Sequence, residues 1–140
     1  MRNNIGGSIG SLHLFRKRVV RAILDTLYDV AVEWPNEVER IEISRRIFKK
    51  FGLPNTVSYA DGTLIPLAFK PEREDWFDFQ GRKGGWSLSV LVVNDDKNQI
   101  RYWHAGWPGC THDDRVYKNC CLAKSPDKYF SGFFARQQFL

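Results

Sequence analysis

The sequence predicts an α/β fold, and three observations carry that reading. Apolar residues recur every three or four positions as far as Gly52. They then alternate or run in short blocks between Val57 and Ala105, and helical spacing returns after Thr111. The predicted order is helix, helix, antiparallel strands, helix. A chain of 140 residues has room for one such domain.

The first eleven residues hold three glycines, two asparagines and two serines, which predicts a flexible lead-in. From Phe15 the apolar stripe Phe15, Val19, Ile23, Leu27, Ala31 and Trp34 marks an amphipathic helix, with Arg16, Lys17, Arg18, Arg21, Asp25 and Asp29 on its other faces. Pro35 stops it, because the residue before a proline is pushed out of the helical region. A second helix starts after Asn36, whose side chain can cap it with Glu39 three residues on. It runs through Val38, Ile41, Ile47, Phe48 and Phe51 to Gly52. Arg45, Arg46, Lys49 and Lys50 suit the negative end of its dipole.

Four apolar runs follow, at residues 57–60, 64–69, 86–93 and 99–105, the first leading into Asp61. The turn-forming cluster Asn94-Asp95-Asp96-Lys97-Asn98 separates the last two, so they are expected to pair as an antiparallel hairpin. Gly106-Trp107-Pro108-Gly109 breaks the strand. Thr111 can cap a further helix with Asp114 as its third-position acid, and Val116, Tyr117 and Cys120 give that helix an apolar side.

A formal charge of +5, with Lys and Arg gathered at residues 16–21 and 40–50, permits an anionic partner. The three cysteines are an odd number, two of them adjacent, and no charged-then-apolar leader precedes them. That fits a reducing compartment, nuclear or cytoplasmic rather than secreted. No apolar run approaches the roughly 18 to 20 residues needed to span a bilayer, so no membrane partner is expected.

The chemistry concentrates in a few side chains. Asp61 follows an apolar strand and precedes Gly62, so its carboxylate is expected at a strand-to-turn junction open to a metal or phosphate; an ordinary Asp-Gly turn is the plain alternative. Asp113 shares a helical face with Val116, Tyr117 and Cys120, whereas Asp114 falls beside Lys118, so Asp113 is the better metal candidate. Carboxylates are what hard Mg²⁺ or Mn²⁺ prefers, and a pair of such ions serves in-line phosphoryl transfer. His112 reads as a helix-start residue rather than a catalyst. Cys110, His112, Cys120 and Cys121 lack the spacing of a zinc knuckle, and the three cysteines read as buried thiols. Arg82 and Lys83, between glycines, are placed to meet a phosphate backbone.

Three segments in order, Ala60-Asp61-Gly62-Thr63-Leu64-Ile65-Pro66, Gly81-Arg82-Lys83-Gly84, and Gly106-Trp107-Pro108-Gly109-Cys110-Thr111-His112-Asp113-Asp114-Arg115-Val116, carry a resemblance. Over residues 19–140 the chain resembles the nuclease domain of Harbinger-type transposases, the DDE superfamily endonucleases. The resemblance implies a ribonuclease-H-like mixed sheet flanked by helices, with catalytic and metal-ligand roles for Asp61 and Asp113 and a divalent metal, Mg²⁺ or Mn²⁺. It implies hydrolysis of DNA phosphodiesters, the DNA met through its backbone by Arg82, Lys83 and Arg115. The alternative is a non-catalytic DNA-binding or interaction module on the same scaffold. This chain has Leu64 where that family often has histidine and Asp114 where it has serine. The family's later aspartate and glutamate segments and its N-terminal DNA-binding region are not matched. The domain therefore reads as truncated at the C-terminus, with a partner chain implied for DNA binding. Residues 1–14 are then a lead-in, 15–52 a two-helix segment and 53–140 a partial nuclease domain.

Overall fold

The computed structural model describes residues 8–82 and 84–137. They divide into two compact units, Met1–Glu33 and Trp34–Leu140.

The first unit is one helix, α1 (Ile9–Ala31). It starts six residues before Phe15 because Ser8 caps it, its side chain accepting a hydrogen bond from the Ser11 N–H at 3.2 Å. Residues 9–14 of the expected lead-in are therefore helical, and residues 1–7 lie outside the described residues. The helix also ends earlier than Trp34, with the Val32 N–H bonded to the Tyr28 carbonyl. No residue of α1 is buried, so its apolar stripe is not part of a core within this unit.

Trp34 belongs to the second unit. Its indole N–H donates to the Tyr129 carbonyl at 2.7 Å, and its ring meets Tyr129 and Phe130 edge-on at 5.8 and 5.3 Å. Helix α2 (Glu37–Phe51) carries the expected capping box, with the Glu39 N–H donating to Asn36 Oδ1 and the Asn36 N–H to Glu39 Oε2, both at 3.0 Å. Gly52 closes it in the left-handed conformation, φ 69°. Its inward face is not the predicted one. Arg40, Ile43, Ser44 and Ile47 are buried, while Val38, Ile41, Phe48 and Phe51 are exposed. The face 40, 43, 44, 47 keeps helical spacing, and the Arg40 guanidinium is buried without a carboxylate because its Nη1 donates to the Pro35 carbonyl at 2.8 Å. The sequence groups α2 with α1, but α2 packs on the first strand of the sheet.

The sheet has four strands in the order β3-β2-β1-β4. β1 (Thr56–Pro66), β2 (Ser87–Asn94) and β3 (Ile100–Pro108) are antiparallel neighbours, and β4 (Phe134–Gln137) runs parallel to β1. The expected mixed sheet flanked by helices is therefore present. Between β3 and β4 lie three short helices, α3 (Asp113–Asn119), α4 (Cys121–Lys124) and α5 (Pro126–Tyr129). The core joins Ile43 and Ile47 of α2, Val57 and Ala60 of β1, Leu91 and Val93 of β2, Val116 of α3, and Cys120, Leu122 and Phe130. Cys110 and Cys121 are exposed, so of the three thiols only that of Cys120 is buried as predicted. Cys110 sits in the turn after β3 and Cys121 opens α4, neither of which faces the core.

The hairpin between β2 and β3 is the one predicted, and its turn is tied to the rest of the unit by charge. Asp95 is buried, and its Oδ1 accepts the N–H groups of Lys97 and Gln99 while its Oδ2 takes the Arg101 guanidinium at 3.0 Å. Arg46 of α2 reaches the same turn and grips Asp96 with two hydrogen bonds of 2.7 and 2.8 Å. That bond holds the Asp96 carboxyl below the usual carboxylate range. A lowered folded-state value means that the pair stabilises fully above the ordinary aspartate pKa and loses its contribution as pH falls through the lowered one. Arg46→Ala should cost about 1 kcal/mol in urea unfolding at neutral pH. The gap to the parent chain should close in acid.

On the other side of the hairpin, the Tyr102 hydroxyl of β3 accepts the Cys121 N–H at 3.3 Å. Burial is the main cause that pushes this phenol up to about 12. Its contribution is therefore present below the ordinary value of about 10 and fades as pH rises through the raised one. In an ultraviolet titration of the folded chain, the step near 12 should disappear in Tyr102→Phe.

Candidate active site

Asp61 does not stand at a turn. β1 runs unbroken through Asp61, Gly62 and Thr63, which pair with Val92, Leu91 and Val90 of β2 in one uninterrupted register. A continuous partner strand holds the segment extended, and Gly62 is not in the left-handed region that an Asp-Gly turn would need. Among the described residues β4 pairs with β1 as far as Ala60 and Gln137, the residue pair next to Asp61.

Both predicted acids converge on Gly62. Asp61 folds its carboxylate along the strand, Oδ1 accepting the Gly62 N–H at 2.9 Å. Asp113, the first residue of α3, lies against the Gly62 α-carbon: a Cβ built there would overlap its carboxyl carbon and lie 2.7 Å from Oδ2. Side chains alternate along a strand, so Asp61 leaves β1 on the face opposite the one Asp113 covers. The two acids therefore meet Gly62 from opposite faces of β1, and Asp61, unlike Asp113, does not line the cleft beside it.

Asp113 opens α3 because His112, and not Thr111, stands at the N-cap position. The Thr111 N–H turns back to the Pro108 carbonyl at 2.9 Å, and the first helical turn closes on the His112 carbonyl, which accepts from Arg115 and Val116. No side chain caps the helix, so the predicted Thr111 cap does not form. Asp114 pairs with Lys118 at 2.7 Å, on the face away from the strand, as the helical spacing predicts.

A cleft of about 220 Å³ opens above Gly62, lined by Gly62, Thr63, Leu64, Arg82, Gly109, Thr111 and Asp113. Arg82 is thus brought to the same cleft as Asp113. Its turn is closed by hydrogen bonds from the Gly81 N–H to the Gly85 carbonyl and from the Gly84 N–H to the Gly81 carbonyl, with Gly84 and Gly85 at φ 81° and 79°. The opposite wall is fixed by the Cys110 N–H, which donates to the Asp78 carbonyl at 3.0 Å. Lys83 lies outside the described residues. Arg115 is exposed on α3 and does not line the cleft. Sequence reasoning missed Thr63, Thr111 and Gly109 as cleft residues, although each lies inside one of the quoted motifs.

Residues 60–139 match the DDE superfamily endonucleases, a match that opens one residue before Asp61 and takes in the sheet from there to β4. The chain belongs to this family. Among its relatives, an Arabidopsis thaliana protein named "Protein ALP1-like" is 33% identical over 100 residues, covering 69% of this chain and 23% of that protein. A Mus musculus protein named "Putative nuclease HARBI1" is 25% identical over 122 residues, covering 84% of this chain and 34% of its own length. The chain thus spans about a quarter to a third of the relatives it matches, and the Harbinger-type resemblance is borne out. No solved structure matches. No helix among the described residues is long and apolar enough to cross a membrane.

Among the described residues no group of three or more His, Cys, Asp or Glu side chains gathers into a metal-holding set. Asp61 and Asp113 are carboxylates, the donor type that a hard divalent cation takes, and each touches Gly62.

Proposed function

We propose that this chain carries the Asp61 and Asp113 part of a divalent-metal site in an endonuclease that hydrolyses DNA phosphodiesters. What supports the reading is that the Asp113 carboxylate lies against Gly62 in a cleft that also holds Arg82, while Asp61, next along the same strand, hydrogen-bonds the Gly62 N–H. DDE superfamily endonucleases generally use divalent metals, and Mg²⁺ or Mn²⁺ held here would activate a water and offset charge on the leaving oxygen. The chain's own residues have separate tasks. Asp61 and Asp113 offer oxygen ligands, and Arg82 meets the phosphate whose strand enters the cleft. Arg115 adds positive charge outside it, and Lys83, the next residue in sequence after Arg82, is a second cation for the same phosphate backbone. Further acids and a DNA-binding region would come from parts of the relatives' length that this chain does not span, or from a partner chain. A nuclear or cytoplasmic setting goes with the DNA substrate.

The test is nicking of supercoiled plasmid by the purified chain in Mn²⁺, with chelator as control. Weak, metal-dependent conversion to open circle is the expected result, since this chain supplies only part of the acids. Salt-sensitive binding that ignores chelator, with no nicking, would instead establish the non-catalytic DNA-binding module.

A further inference from the structure

We infer that Gly62 is a positioning residue: its missing side chain is the space in which the Asp113 carboxylate sits. The inference rests on the metal-site reading above and adds to it the device that sets one ligand. Glycine in an Asp-Gly pair is ordinarily explained by backbone freedom, yet Gly62 is neither in a turn nor at positive φ, and its strand pairing is regular on both sides. Conformation therefore gives no reason for glycine here, and glycine inside a strand normally weakens it.

Sterics does give a reason. A Cβ at Gly62 would overlap the Asp113 carboxyl group, with Oδ2 at 2.7 Å, closer than real Cβ contacts come. The helix that Asp113 starts is anchored by Val116, which is buried in the core, so relief comes from the Asp113 side chain swinging its carboxylate away from Gly62. The same principle recurs at the cleft wall. Gly109, also not at positive φ, has the Ser87 and Phe79 carbonyl oxygens at 2.8 and 2.9 Å from its Cβ position, so a side chain there would push the wall outward. The glycines at these two motif positions are contact surfaces rather than hinges. At Gly62 the contact is with a ligand, so its loss should be read in metal affinity.

The experiment compares Gly62→Ala, Asp113→Ala and the double variant by Mn²⁺ titration, well below the melting temperature, and by thermal unfolding. Gly62→Ala should weaken Mn²⁺ binding by roughly 10- to 100-fold. The double variant should bind no more weakly than Asp113→Ala. Melting should fall in Gly62→Ala alone. With the carboxylate gone, alanine is the better strand residue, and the double variant should melt no lower than Asp113→Ala. Parent-like Mn²⁺ affinity in Gly62→Ala, or melting losses that simply add, would overturn the inference. Should the parent chain bind no Mn²⁺, the metal reading fails by itself, and the melting comparison still decides whether Gly62 makes room for Asp113.

Discussion

Asp61→Asn and Asp113→Asn are each expected to reduce Mn²⁺-dependent plasmid nicking by on the order of 10² or more, with the fold intact. Asparagine keeps the shape and the oxygen that accepts the Gly62 N–H, so circular dichroism and melting should barely change at Asp61. What it removes is the charge that a hard cation requires. Asp114→Asn is the internal control. Its carboxylate pairs with exposed Lys118 and faces away from Gly62, so its nicking rate should stay within about twofold of the parent, the small effect typical of a surface ion pair. Equal losses at Asp113 and Asp114 would mean that α3 presents a different face to the substrate.

The second large effect concerns stability. Ile47→Ala should destabilise the chain by about 2 to 5 kcal/mol in urea unfolding, whereas Val38→Ala on the same helix should change it by about 0.5 kcal/mol or less. Ile47 is fully buried beneath the sheet and Val38 is 67% exposed. Against a total stability of about 5 to 15 kcal/mol for a domain, the first loss is a large fraction. The comparison separates the observed inner face of α2, through Ile43 and Ile47, from the one suggested by its larger apolar residues. Comparable losses at Val38 and Ile47 would show that the helix is turned toward the predicted face.

That difference marks how far the sequence could be read. The ends of α2 were legible because capping is local: Asn36, Glu39 and Gly52 satisfy backbone groups within a few residues of themselves. The hairpin of β2 and β3 was legible for the same reason, since the turn cluster dictates the reversal. The rotation of α2 was not. Phe48, Phe51 and Ile41 outweigh Ser44 and Arg40 in any hydrophobic pattern, yet Arg40 is buried because a carbonyl five residues back takes its charge. Trp34 likewise fits the spacing of α1 but spends its ring on Tyr129 and Phe130, nearly a hundred residues away. Only tertiary contacts decide between these uses.

At the candidate site, residue types and motif order pointed to Asp61, Asp113 and Arg82, and the structure brings the latter two to one cleft and both acids to one glycine. The Asp-Gly pair suggested a turn because turn statistics are local. The strand that passes through it is imposed by β2, whose Val90, Leu91 and Val92 supply a continuous ladder. The spatial use of Gly62 could not be read from its neighbours, since the atom it makes room for lies on a helix far along the chain.

The central claim is that Asp61 and Asp113 act together on one cation. Calorimetric titration of the folded chain with Mn²⁺, beside Asp61→Ala and Asp113→Ala, tests it most directly. Saturable binding weakened by both substitutions is the predicted result. Binding indifferent to both, or no binding to the parent chain, would contradict it.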